Sequence, residues 1–272
     1  MRFALITDVH FGPRAFYDGK LRKLTDRAGE LSTRFVERMN AVEKPELVVN
    51  LGDVIEDADR ERDLDEYAKF VSILGGLDAT VRHVAGNHDQ VNLSAADLCG
   101  LWGHTGELFY SFDLGGVHFV ALRTDEVKDK GVHLPPEQID FVARDLAATR
   151  SPSIVLMHHP ASEQRLHGNR WFERAPHLCR VAERGALRKV LEASGKVVAV
   201  FNGHVHWNHL DVIRGIPYIT LQSLTENLDD DAPGRPASAH AVCDLDERRL
   251  QVEIRGEESA RYQFEIELPK LA

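Results

Sequence analysis

Two textures of apolar and polar positions divide this chain. Up to about residue 206, short apolar runs alternate with longer stretches at helical spacing; beyond it the pattern turns to β. Five of the early runs stop at small polar or metal-seeking side chains. FALIT runs into Asp8-Val9-His10, ELVVNL into Gly52-Asp53, and VRHVA into Gly86-Asn87-His88-Asp89. SIVLM leads to His158, and VVAVF to Asn202-Gly203-His204-Val205-His206. Such runs, rich in β-branched residues and bounded by turn signals, predict buried strands. Sites in open α/β sheets lie beyond the carboxyl ends of their strands. The pattern therefore predicts that five strand ends bring two carboxylates, one carboxamide and several imidazoles to one edge of one sheet, as a metal centre.

Between those runs the spacing predicts helices. Residues 21–42 place Leu24, Ala28, Leu31, Phe35, Val36 and Met39 near one face, and Pro45 stops the pattern. Residues 64–74 repeat it. Segments 108–113 and 117–122 flank Leu114-Gly115-Gly116 and predict a β-hairpin. Pro135-Pro136-Glu137 opens a helix running to Ala148, and another spans residues 179–193. Residues 161–176 show no clean period and read as a loop. Strands follow at 210–213, 217–221, 239–244, 250–255 and 262–266, and residues 227–236 read as a solvated acidic loop. The class is α/β. With 272 residues and no compositional break, one domain over 1–272 is expected, with motifs within 8–206 and a β-rich part over 207–272.

Charge and cysteine narrow the function classes. The net charge of −10 argues against a sequence-independent grip on nucleic acid, which needs a basic surface. It leaves room for a small anionic substrate, because a metal's local charge outweighs a distant acidic surface. Cys99, Cys179 and Cys243 are far apart and form no CxxC pair, as expected of buried thiols in a reducing compartment. The start of the chain carries no signal-peptide pattern, and no apolar run approaches the roughly 20 residues of a membrane span. The expectation is a cytoplasmic protein without a membrane partner, with homo-oligomerisation left open.

Asp8 and His10 lie two apart, as do His204 and His206, so each pair points to one side of an extended backbone. Gly52 lets the chain turn sharply at Asp53. The ordered set DVH, GD, GNHD, H and GHVH resembles the calcineurin-like metallophosphoesterases, whose pattern is DxH, GD, GNH[DE], H and GHxH. The resemblance implies an αββα sandwich of two mixed β-sheets flanked by helices, carrying two divalent metal ions. By matching positions it implies that Asp8, His10, Asp53 and His206 hold the first ion. Asp53, Asn87, His158 and His204 would hold the second, with Asp53 bridging. His88 would contact the phosphate or protonate the leaving group. A shared carboxylate suits ions roughly 3.5–4 Å apart, and mixed imidazole, carboxylate and amide ligation without thiolate suits Mn, Fe or Zn.

Adjacent strand residues face opposite sides, so only one of His158 and His159 is expected to reach the ions. The family's ligand lies two before a proline, which selects His158 ahead of Pro160; His159 is then a packing residue. Asp89 is expected either to fix the tautomer of His88 or to serve as a turn residue after the strand. Arg14 and Tyr17 after the first motif, and His167 in the 161–176 loop, are candidates for substrate contact; Trp171 lies in the same loop. Lys20, Arg22, Lys23 and Arg27 read as a solvated helix face, and Phe11 as core. His83, His118, His133, His177 and His240 read as surface or core residues, whereas His104 and His209 are candidates for lining the cleft.

The GDxxDRG and GNHE motifs of the Ser/Thr protein phosphatases are absent: Gly52-Asp53 continues as Val54-Ile55-Glu56-Asp57-Ala58. The GNHD form, the Tyr110-Ser111-Phe112 hairpin and Leu134-Pro135-Pro136-Glu137-Gln138 resemble the bacterial cyclic-nucleotide and glycerophosphodiester phosphodiesterases. Residues 215–220 resemble manganese-dependent ADP-ribose/CDP-alcohol diphosphatases. Arg123-Thr124 departs from relatives that carry an Asp there. The reading is a phosphodiesterase acting on small phosphodiesters. A diphosphatase or broad-specificity phosphatase is the alternative, and a non-catalytic scaffold the contrast from another class. Retention of every ligand and of His88 favours the enzyme.

Overall fold

The computed structural model describes residues 1–14, 16–127 and 130–266; the last residues of the expected β-rich part, 267–272, lie outside them. The chain begins with β1 (Arg2–Ile6), α1 (Ala28–Arg38), β2 (Leu47–Asn50), α2 (Arg60–Leu74) and β3 (Thr80–His83). There follow a short α3 (Asp89–Asn92), α4 (Ala95–Trp102), β4 (Tyr110–Leu114), β5 (Val117–Ala121) and a ribbon of β6 (Asp125–Val127) and β7 (Gly131–His133). Next come α5 (Pro136–Ala148), β8 (Ser153–Leu156), α6 (Arg184–Ser194) and β9 (Val197–Asn202). The chain then runs through β10 (His209–Ile213), β11 (Ile216–Thr220), β12 (His240–Leu245), β13 (Arg249–Arg255) and β14 (Ala260–Glu265).

These strands form two six-stranded sheets, ordered β14-β13-β12-β1-β2-β3 and β10-β11-β9-β8-β5-β4. The five strands that carry the motifs are therefore split. β1, β2 and β3 run parallel in the first sheet, and β8 and β9 run parallel in the second. The expectation of a single sheet edge is corrected here. A run apolar on both faces fits a strand between two helix layers or one between a helix layer and a second sheet, and periodicity does not separate the two.

Alternation along β1 shows which holds. Phe3 and Leu5 point between the sheets, where Phe3 meets Phe119 and Phe201 edge-on at 5.8 and 5.9 Å. Ala4 and Ile6 face the opposite way, onto α1 and α2 with Phe35, Tyr67 and Phe70. Val120, Val155 and Val200 of the second sheet likewise meet Val142 and Leu146 of α5 and Leu187 and Leu191 of α6. The result is the αββα sandwich, with β12–β14 extending the first sheet and β10–β11 the second.

Two helices start later than their apolar spacing suggests. Residues 21–24 are an extended lead-in, because the Leu24 N–H donates to the Thr225 carbonyl and the Asn227 N–H to the Arg22 carbonyl. Residues 179–183 are likewise held out of α6, with Val181 and Ala182 donating to Pro160 and Val132. The 227–236 segment is exposed at Asp229, Asp231, Ala232, Pro233 and Arg235, as expected of a solvated loop, and is tethered at its start: Asn227 is fully buried and its amide donates to the carbonyls of Leu21 and Asp231. Cys99, Cys179 and Cys243 are free and buried. Among the described residues no helix is long and apolar enough to cross a membrane.

Candidate metal centre

The carboxyl ends of β1, β2, β3, β8 and β9 meet where the two sheets abut. Each turn leaves its strand sharply, and Asp8, His10, Asp53, His204 and His206 all adopt positive φ between 51° and 70°. Asp and His tolerate this left-handed region better than bulkier residues, yet each still costs on the order of 1–2 kcal/mol. Two glycines make the close approach feasible. A Cβ on Gly86 would collide with Asp53 Oδ1, and one on Gly203 with Thr7 Oγ1 and Asp8 Oδ2.

The donors converge in two groups that share Asp53. In one, His10 Nε2 and His206 Nε2 face each other at 3.1 Å, and Asp8 Oδ1 lies 3.3 Å from His206 Nε2. Asp53 Oδ2 is 4.0 Å from His10 Nε2. In the other, His158 Nε2 lies 3.2 Å from Asp53 Oδ2 and 3.1 Å from Asn87 Oδ1. The His204 ring stands 5.1 Å from that of His158. Asp8, His10, Asp53, His158, His204 and His206 are all buried.

Each imidazole's outward nitrogen has its own anchor. Glu56 Oε2 lies 2.9 Å from His10 Nδ1, and Glu226 Oε2 lies 2.6 Å from His206 Nδ1. His158 Nδ1 reaches the Leu51 carbonyl and His204 Nε2 the Leu178 carbonyl, both at 2.9 Å. Carboxylates and carbonyls behind ligating histidines orient the rings and raise their basicity. Two imidazole nitrogens that face each other at 3.1 Å beside two buried carboxylates match the nitrogen and oxygen donors of a metal site. The donor set therefore fits metal ions.

Electrostatics points the same way. Burial works against a proton on His206, yet Asp8 and Glu226 raise its pKa to about 9. Burial likewise opposes charge on His158, which Asp53 raises to about 9. Burial pushes Asp8 up, but His206 brings it down to about 2. His10 goes the other way, lowered by burial and by Lys23 to about 4.

His88 sits at the mouth. Its backbone N–H donates to Asp53 Oδ1 at 3.0 Å, and its ring lies edge-on to that of His10 at 5.0 Å. Its Nδ1 is 3.2 Å from Asp57 Oδ2. The cleft extends to both sides of it. One lobe, of 250 Å³, is walled by Tyr17, Lys23, Trp171 and Phe172; the other, of 770 Å³, by Val91, Leu93, Leu108, Arg123 and Asp125.

Of the substrate-contact candidates, Tyr17 lines the cleft, donating its hydroxyl to Glu56 and standing edge-on to Trp171 at 4.9 Å. Arg14 turns outward to Asp26 at 2.6 Å, and His167 is 96% exposed beside Glu173. Neither reaches the centre, because both sit on exposed loop stretches paired locally. His104 and His209 also have local partners, the Glu107 carbonyl and Asp211. Asp89 does not touch His88. Its carboxylate accepts from the backbone N–H groups of Asp53, Val54 and Gly86 at 2.8–3.0 Å, and Asp57 stands beside His88 instead.

His159 is buried with Nδ1 2.7 Å from Thr124 Oγ1, and its ring packs 4.0 Å from that of His204. Residues 157–159 have left the strand, so strict alternation no longer separates His158 from His159. Lys23, expected on a solvated face, is 2% exposed inside the cleft. Spacing missed Glu56, Asp57, Lys23 and Glu226. Glu56 and Asp57 lay close to a visible signal, three and four residues after Asp53.

Comparison with known proteins adds four findings. The family described as calcineurin-like phosphoesterase matches residues 1–208. A Synechococcus sp. protein named as a probable cyclic nucleotide phosphodiesterase is 28% identical over 162 residues, covering 59% of this chain and 58% of that protein, less than two thirds of its length. A Rhodococcus erythropolis protein of the same description is 22% identical over 215 residues, covering 76% of this chain and 69% of its own. A solved structure of a dimetal phosphatase from Danio rerio has a TM-score of 0.81 at 18% identity, covering 98% of this chain and 99% of that one, which is a likeness of fold.

Proposed function

The chain belongs to the calcineurin-like phosphoesterase family, and on that premise we propose that it hydrolyses small phosphodiesters at a centre of two divalent ions. Asp8, His10, Asp53 and His206 would hold one ion, and Asp53, Asn87, His158 and His204 the other. When bound, the pair supplies Lewis acidity that activates water and stabilises charge on the phosphoryl oxygens. The ions are of the Mn, Fe or Zn class, as the nitrogen- and oxygen-rich donor set suggests.

The chain's own residues do the rest. Glu56 and Glu226 keep His10 and His206 in the tautomer that leaves Nε2 free. Asn87 supplies a neutral oxygen, which limits the negative charge an incoming phosphate meets. His88, at the junction of the two lobes, donates a proton to the leaving oxygen.

The observation that carries the diester reading is the cleft's shape. It opens to both sides of His88, and a diester has a substituent on each side of phosphorus where a monoester has one. The names of the two bacterial relatives agree with it.

The test is metal analysis with kcat/KM on a matched aryl diester and monoester. About two ions per chain are expected, with activity lost on chelation and the diester preferred. Asp53→Asn should reduce both metal content and rate more than any other single ligand change. Full activity after exhaustive chelation would sink the two-metal reading, and a clear monoester preference would reject the diester assignment alone.

A further inference from the structure

The two lobes of the cleft differ in charge. Beyond Asp57, the larger one carries Asp125 against a single cation, Arg123, which is paired to it at 2.7 Å, and Glu126 borders both lobes. The smaller one carries Lys23. Its ammonium lies 2.7 Å from Glu56 Oε2 and faces the rings of Tyr17 at 4.9 Å and Trp171 at 5.4 Å. A buried ammonium has three protons to place, and Glu56 is the one carboxylate that pairs with Lys23 among the described residues. Glu56 is also committed to His10 and Tyr17. The ammonium therefore keeps capacity for a ligand oxygen.

Cations continue past Trp171. Arg22 lies over its outer face at 5.9 Å, and Arg170 pairs with Glu226 at 3.5 Å. Both converge, with Lys20, on the carboxylate of Asp230: Lys20 Nζ at 3.0 Å, Arg22 Nη1 at 3.5 Å, and Arg170 Nη1 in closest contact. Asp230 is held there by the tethered 227–236 segment. Lys23 is thus the lysine that lines the cleft, and Lys20, Arg22 and Arg170 lie beyond Trp171, paired with Asp230 and Glu226.

We propose that this side of the cleft is an anion subsite, in which Lys23, backed by Arg22, binds a second phosphate carried by the substrate away from the phosphate over the metals. The inference deepens the phosphodiesterase reading and rests on it only for the position of the scissile phosphate. It makes Lys23 a specificity-determining residue and gives an unsymmetrical substrate one orientation. The phosphorylated arm lies along the wall that Tyr17 and Trp171 form together, and the other arm in the acidic lobe.

Binding tests the subsite and turnover tests the reaction, so the two fail separately. Calorimetric titration of the metal-loaded protein with thymidine 3′,5′-bisphosphate and with thymidine 5′-phosphate should show the bisphosphate binding at least about tenfold tighter, as a charge-assisted contact implies. Lys23→Met should abolish that preference at unchanged metal content, and Lys23→Arg should restore part of it. If Lys23→Met loses metal or fails to fold, Arg22→Gln decides, with the preference expected to fall several-fold. Equal affinities in the wild type would overturn the subsite, and so would a preference surviving either Lys23→Met with its metal intact or Arg22→Gln. Turnover of bis(p-nitrophenyl) phosphate, measured in parallel, reports on the diesterase reading alone.

Discussion

At the scale of single residues, positions under backbone strain coincide with those that carry chemistry. Asp8, His10, Asp53, His204 and His206 occupy left-handed conformations that cost stability, and each presents a donor to the centre. Of the non-ligand side chains, His88 has the most direct test. It stands between the lobes with Nδ1 3.2 Å from Asp57 Oδ2, and its ring lines the cleft. His88→Ala is expected to lower kcat by ~10²–10⁴ on an alkyl ester, and less on an activated aryl ester whose leaving group needs no proton. Metal content should remain near wild type, since only its backbone N–H touches Asp53. Equal losses on both esters, or lost metal, would assign His88 a structural role. The residues legible from sequence are those whose type and spacing recur at strand ends, as in Asp8-Val9-His10. Glu226 acts on His206 from twenty residues away through the segment after β11, and Lys23 is carried inward by an extended lead-in; neither leaves a local signature.

The elements are held to one another by polar contacts that span the turns, and Asp89 is the clearest. At the start of α3 it accepts three backbone N–H groups, two from the turn after β2 and one from the turn after β3. It thereby fixes Asp53 against Asn87. Burial and the nearby Asp53 raise its carboxyl to about 6, opposed by those same N–H groups. Asp89→Ala leaves the three donors unpaired in a dry site, at about 1–3 kcal/mol each if none finds water. A loss of about 2–5 kcal/mol in urea unfolding is expected, together with weaker metal retention. Gly86→Ala should act on the same junction by collision, since its Cβ would occupy the place of Asp53 Oδ1. A variant of either kind with wild-type stability and metal content would show that the two turns do not depend on each other. Element positions were largely readable: all five motif strands lie where their apolar runs end, and α5 begins at Pro136 as its prolines predict. The starts of α1 and α6 were not, because long-range hydrogen bonds from Leu24 and Val181 outweigh helical spacing.

For the whole molecule, the division into two sheets was open to the sequence only through the family resemblance, since both architectures bury the same runs. That division also buries histidines far from the centre, beneath the first helix layer. His83 ends β3 with its ring stacked on Trp102 at 5.5 Å, and His240 starts β12 with its ring against Phe35 at 5.5 Å. Neither His83 Nδ1 nor His240 Nε2 has a hydrogen-bond partner. Burial lowers the pKa of His83 to about 3 and that of His240 to about 4, from 6.5 in an open chain. Below pH 6.5 the unfolded chain therefore takes up protons that the folded protein refuses. Stability from this source is complete above that pH and drains as the pH falls toward 4 and then 3. Each histidine should remove about 2 kcal/mol between pH 6.5 and 5. The measurement is urea unfolding at pH 7.5, 6 and 5 with a chelator present, so that release of bound ions adds nothing to the slope. His83→Phe keeps a ring against Trp102 and cannot titrate, so it should flatten the acid slope relative to wild type, and His83→Phe with His240→Phe should flatten it further. Parallel slopes in all three proteins would place the acid sensitivity in the carboxylates and imidazoles of the centre instead of in this layer.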